Sequence, residues 1–229
     1  MMSKSPNERP GETGIFLMRR HGWFLRVMVL PQRPDTGDLG AVQDALLDVI
    51  DAAGGVEFSR GELLRVIEIA QQEYSSLQPK TDILADVRSW SGATTPAVYS
   101  AFFETAMWTR AVIDRYQEPL RSAVQPHDPN LWNKLRRIQS ESGGKVFKDA
   151  RSMAGVSLHR YTPPYAGSGA RVVDGRLIYP CIDAVTEHQD FRNNLRFEEE
   201  RDVEMLVEEY WSAVCQFVDG ILDEFYSKE

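Results

Sequence analysis

Apolar residues recur at helical spacing through the end of the chain. Val203, Leu206, Val207, Tyr210, Trp211, Val214, Phe217, Val218, Ile221, Leu222 and Phe225 fall together over 198–229, with acids between them. The pattern predicts a long amphipathic helix that needs a wide surface to bury its apolar face. A second stripe, Tyr99, Phe102, Phe103, Ala106, Ile113, Tyr116 and Leu120, predicts its partner in mid-chain. The expected fold class is mainly α: a helical bundle with a small inserted β-hairpin. The helix pair 95–118 and 199–226 should form its centre.

Other elements follow from periodicity and punctuation. Residues 1–14 are Pro, Gly, Ser and charge and read as a disordered tail; 15–229 reads as a single mainly helical domain, with the bundle core at about 95–229. The apolar runs within 15–30 fit a strand or a short helix equally. Leu39, Val42, Leu46, Val49 and Ile50 predict a helix over 38–53, closed by Gly54-Gly55. Ser59 and Glu62 fit a capping box opening a second helix that ends before Pro79. A short helix is expected over 82–90. Thr95-Pro96 starts the mid-chain helix, which runs to about Gln117. Asp128-Pro129-Asn130 opens a helix over 131–140; Gly143-Gly144 breaks it from another over 145–158. Asp174-Gly175, between two β-prone runs, predicts a tight hairpin over 171–179.

Composition supports a packed core. Of 229 residues, 42% are hydrophobic and 26% charged, and the formal net charge is −8. That balance opposes wholesale electrostatic grip on nucleic acid or anionic membrane, though a local basic face remains compatible with it. The two cysteines, Cys181 and Cys215, form no CxxC pair. The apolar run at 22–31 is interrupted by Arg26 and is too short to span a bilayer. Nothing resembles a signal peptide. A cytoplasmic protein with reduced thiols and no membrane association is expected.

Charge is unevenly spread. Residues 130–160 hold seven basic side chains against two acids, a net of +5; residues 198–229 hold eleven acids against two basic residues, a net of −9. Charge runs of this kind are usually solvated or paired inside the fold. The sharper reading is an RNA- or phosphate-binding groove at 134–160, with the acidic last helix meeting a separate protein partner.

Within the basic segment, Arg151, Ser152 and His159 stand on one predicted helix just before a Pro- and Gly-rich loop. Arginine stabilises charge on a phosphate, and histidine moves a proton near neutral pH. Here the chain resembles HEPN domains, over about 95–225. These are helical bundles, often dimeric, many of which are metal-independent ribonucleases in toxin–antitoxin and phage-defence systems. Their motif is an arginine, a polar residue, four to six residues and a histidine. The resemblance implies Arg151 and His159 as catalytic residues, with Lys148, Arg160 and Tyr161 contacting phosphate or base. Here seven residues separate Arg151 from His159. On a continuous helix that places their Cα atoms about 12 Å apart along the axis and about 80° around it. Convergence then needs a bend at Gly155 or two protomers sharing the site. Against this stands the plain reading, in which Arg151 pairs with an acid and His159 caps a helix end.

Other chemistry is weaker. His127, His159 and His188 lack the paired helical spacing of a metal site, and no metal or other cofactor is expected. Gly167-Ser168-Gly169 is not a phosphate loop. Cys181 has no activating neighbour in sequence, and the tryptophans fit the core. Three functions stay open: a HEPN-like protein that binds or cleaves RNA or a nucleotide, a non-catalytic interaction or regulatory subunit, and a small-molecule bundle with 161–170 as a lid. A homodimer through the two aromatic stripes is expected.

Overall fold

The computed structural model describes residues 12–32, 37–77, 89–90, 92–160, 169–182 and 200–227. For 12–18, 77, 89–90, 156–160, 181–182 and 200–201 it describes the backbone alone. The element order is α1 (Glu12–Met28), α2 (Leu39–Leu77), β1 (Ser89–Trp90), α3 (Thr95–Arg115), a π-turn at Tyr116–Leu120, α4 (Arg121–Val124), α5 (Pro129–Arg160), β2 (Ala170–Val173), β3 (Arg176–Ile178), β4 (Pro180–Ile182), β5 (Glu200–Asp202) and α6 (Val203–Tyr226). The fold is a mainly α bundle with small β elements, as the patterning predicts.

α3 and α6 do pack together, through stacked Phe102 and Tyr210, and Tyr116 of the following π-turn meets Phe217 of α6 edge-on. Yet the broadest face of α3 lies on α2, which runs the length of the bundle. The expected two helices over 38–78 are therefore one. Gly54 and Gly55 do not stop it, and Ser59 does not cap: its buried hydroxyl donates to the Gly55 carbonyl at 2.9 Å, while Glu62 pairs with Arg65. A Cβ at Gly55 would overlap the Trp108 indole of α3, so this glycine serves close helix approach rather than termination. Pro119, which cannot donate to a helical ladder, sits in the π-turn that carries α3 on into α4.

The core has two halves. One gathers Trp23 and Val27 of α1, the first half of α2, Tyr116, Leu131 and Trp132, and the C-terminal half of α6. The other gathers the second half of α2, the first half of α3, Met153, the hairpin and the start of α6. Small residues lie at the waist between them. Gly55 of α2 lies against Trp108 of α3 and Gly143 of α5 against Ala213 of α6, while Ser59 of α2 and Thr105 and Thr109 of α3 are fully buried. Both threonine hydroxyls donate back to carbonyls one turn earlier, at 2.8 Å.

The N-terminal segment, left open between strand and helix, is helical and docked. α1 starts at Glu12, inside the stretch expected to be a tail. Trp23 Nε1 donates to Asp219 at 2.6 Å, and Arg19 and Arg26 pair with Asp219 and Asp223. The hairpin forms where Asp174-Gly175 predicts it, with both residues at positive φ (51° and 76°) and Val173 opposite Arg176. β1 adds an edge strand to it, and β4–β5 form a separate ribbon leading into α6. Gln71 of α2 clamps the turn: its amide donates to the Gly175 carbonyl at 3.0 Å and its Oε1 accepts from Leu177 N at 2.8 Å. The helix expected at 82–90 shows only its last two residues, as strand; the rest lies outside the described residues. Thr94, not Thr95, is the capping residue of α3; its hydroxyl makes no cap bond and donates instead to Glu73 at 3.4 Å.

Candidate nucleic-acid interface

α5 carries the basic segment. Asp128 starts it by accepting from Leu131 N at 2.8 Å. Leu131, Trp132, Leu135, Phe147, Ala150, Met153 and Ala154 bury one face. The expected break at Gly143 appears as a kink within one helix, at φ 160° and ψ 39°. A Cβ there would stand 2.7 Å from that of Ala213, so bare backbone is what lets α5 lie on α6.

The opposite face of α5 exposes Arg136, Arg137, Lys145, Lys148 and Arg151. Arg136 and Arg137 precede the Gly143 kink, outside the inward Leu131, Trp132 and Leu135; Lys145, Lys148 and Arg151 follow it, outside the inward Phe147, Ala150 and Ala154. Arg137 meets Glu141 of its own helix at 3.4 Å, and the partly buried Lys134 reaches Glu224 of α6 at 3.1 Å. Among the described residues, Arg136, Lys145, Lys148 and Arg151 make no ion pair.

The acids of α6 are engaged elsewhere. Glu208 pairs with Arg60 at 2.6 Å, Asp219 with Arg19 at 2.9 Å and Asp223 with Arg26 at 2.6 Å. Of the basic segment, Lys134 alone draws on them among the described residues. Three acids of α6 thus hold α1 and α2, and among the described residues Arg136, Lys145, Lys148 and Arg151 draw on none of them.

Of the candidate pair Arg151 and His159, the side chain of Arg151 alone is described. Arg151 is exposed on α5 and Lys148 precedes it by one turn. The backbone of His159 and Arg160 continues the same helix; their side chains, all of Tyr161, and the 161–168 part of the candidate lid lie outside the described residues. Gly143 is the one position of α5 with non-helical dihedrals, so the helix does not bend at Gly155. Arg151 and His159 therefore keep the axial separation of about 12 Å that a straight helix imposes.

Two other clusters bear on the chemistry. At the start of α6, burial raises the Asp202 and Glu204 carboxyls above their ordinary values, against the pull of Arg176; Asp202 still caps the helix by accepting from Glu204 N at 3.1 Å. Cys215 is buried, and burial pushes its thiol up to about 12, which leaves it unreactive. His127 packs on Gly37, while His188 lies outside the described residues. No group of three potential ligands stands close enough to hold a metal among the described residues. No helix among them is long and apolar enough to cross a membrane. The sequence names Lys148 and Arg151 individually and includes Arg136 and Lys145 only within the basic segment 134–160; the inward periodicity of Phe147, Ala150 and Ala154 is the signal that singles out Lys145.

The chain matches no family model, no curated protein and no solved structure.

Proposed function

We propose that this protein binds RNA through the phosphate backbone along the exposed face of α5. The observation that supports the reading is a row of cations, Arg136, Lys145, Lys148 and Arg151, without ion-pair partners among the described residues, on a chain whose net charge is −8. An acidic protein gains little by leaving four such cations together unless an anion meets them. The cations are spread from Arg136 to Arg151 on both sides of the Gly143 kink, a spread that suits a polymer better than a free nucleotide. The HEPN resemblance points to the same ligand. Cleavage would be a further property. Arg151 would hold the phosphate and His159 would move the proton, but one straight helix keeps them apart, so a second chain would have to complete the pair.

Fluorescence anisotropy with a single-stranded RNA oligonucleotide tests the binding. Four phosphate contacts give a slope of log affinity against log salt of about −3, and Lys148→Glu with Arg151→Glu brings it to about −1.4 or weaker. No binding at about 50 mM salt, or equal binding by the double variant, removes the proposal. Incubation with total RNA beside Arg151→Ala and His159→Ala tests cleavage; equal activity in all three removes that part alone.

A further inference from the structure

The aromatic stripes of α3 and α6, from which a dimer was expected, are consumed inside one chain: Phe102, Tyr116, Tyr210 and Phe217 are all buried. They serve neither a second copy nor a stacked base. Every side chain that α5 fully exposes between 133 and 151 is polar: Asn133, Ser140 and Glu141 stand beside the cations described above. Single-stranded nucleic acid is held chiefly in grooves where successive bases stack on aromatic rings. This face offers charge and hydrogen bonds instead, and their arrangement around the helix says which form of the polymer it suits.

The cations are spread around α5 as well as along it. Before the kink, Arg136 lies about 60° to one side of Asn133 and Arg137 about 40° to the other, with Ser140 between the two arginines. After it, Lys145, Lys148 and Arg151 follow at three-residue steps, each turned about 60° from the last. Lys145 and Arg151 therefore stand about 120° apart, which on a helix some 10–12 Å across separates the two flanks by about 10 Å. A single straight row of phosphates meets one flank of such a rod. A duplex, with a row on either side of a groove, meets both. In A-form RNA the wide, shallow minor groove is open to side chains and displays the ribose 2′-hydroxyls between its phosphate rows. Asn133 and Ser140 hold the matching place on α5: uncharged side chains that donate and accept, set between flanking arginines.

We infer that the ligand of α5 is double-stranded RNA, lying with its minor groove over the helix. Cations on the two flanks then reach phosphates of both strands, and Asn133 and Ser140 reach 2′-hydroxyls in the groove. The inference rests on the RNA-binding reading above and names the form of the polymer. Contacts of this kind follow shape and sugar and are blind to base sequence.

Fluorescence anisotropy on the full chain is the test, with an RNA duplex of about 16 base pairs, one of its strands alone, and a DNA duplex of the same sequence. At about 50 mM salt the RNA duplex should bind at least about tenfold more tightly than the single strand. Lys145→Ala and Arg151→Ala, on opposite flanks, should each make the duplex salt slope shallower by about 0.9, in proteins whose melting curves match the parent. Asn133→Ala with Ser140→Ala should weaken the RNA duplex about fivefold or more while leaving the salt slope and the DNA duplex unchanged. A single strand bound as tightly as the duplex overturns the inference and leaves RNA binding standing. So does a DNA duplex bound as tightly as the RNA duplex, or a slope that responds to one flank alone. Absence of binding to either RNA form removes the RNA-binding reading itself, and this inference with it.

Discussion

Gly55 of α2 lies directly beneath the indole of Trp108 of α3, so that a single added methyl would overlap the ring system. Gly55→Ala is therefore expected to destabilise the protein by about 1–3 kcal/mol, because overpacking outweighs the roughly 1 kcal/mol that alanine gains in a helix interior. Gly61, six residues on in the same helix, is exposed with nothing within 4 Å of a built Cβ. Gly61→Ala should stabilise by up to about 1 kcal/mol. Urea denaturation of both variants checks the contrast, and a shift of the same sign in both would mean that Gly55 is not a packing glycine.

Asp219 joins the two ends of the chain, accepting from Trp23 Nε1 and pairing with Arg19. The Arg19 pair is largely exposed and contributes little. The tryptophan bond is partly buried, so Asp219→Ala should cost about 1–3 kcal/mol and loosen α1, whereas Asp219→Asn, which keeps an acceptor oxygen, should cost clearly less. Hydrogen exchange of the α1 amides together with urea midpoints reads both. Equal loss in the two variants would assign the effect to the charge instead.

The buried groups of the core make alkaline pH the weak side of this protein. Burial pushes Cys215 up to about 12 from 9.0 and raises Tyr116 well above its ordinary 10.0; the Tyr116 hydroxyl is buried without a hydrogen-bond partner. A folded value above the unfolded one means that the unfolded chain loses its proton first. The stability these groups contribute is complete below about pH 9 and falls as pH climbs toward 12. Tyr116→Phe should flatten that decline, and it should be neutral or slightly stabilising at pH 7 because it removes an unpaired buried hydroxyl. Circular-dichroism melts between pH 7 and about 11 test it; a decline as steep as in the parent chain would place the alkaline sensitivity elsewhere.

Local chemistry was legible along the chain wherever it acts over a few residues. The hairpin at Asp174-Gly175 forms because positive φ at two adjacent positions is a local demand. Asp128 caps α5 for a similar reason. The stripes of α3 and α6 show which faces go inward, since a period of 3.6 marks one side of a helix whatever lies opposite. The basic character of 130–160 could likewise be read directly.

What stood against those faces could not. Gly54-Gly55 and Ser59 carry the signals of a stop and a start, and only the arrival of Trp108 from another helix turns them into a continuous crossing point. The four cations of α5 gain meaning because Glu208, Asp219 and Asp223 are held by Arg60, Arg19 and Arg26. Helical period, caps and turns are written in neighbouring residues. Helix proximity and charge pairing join residues up to two hundred positions apart, through a core that exists only once the chain has folded.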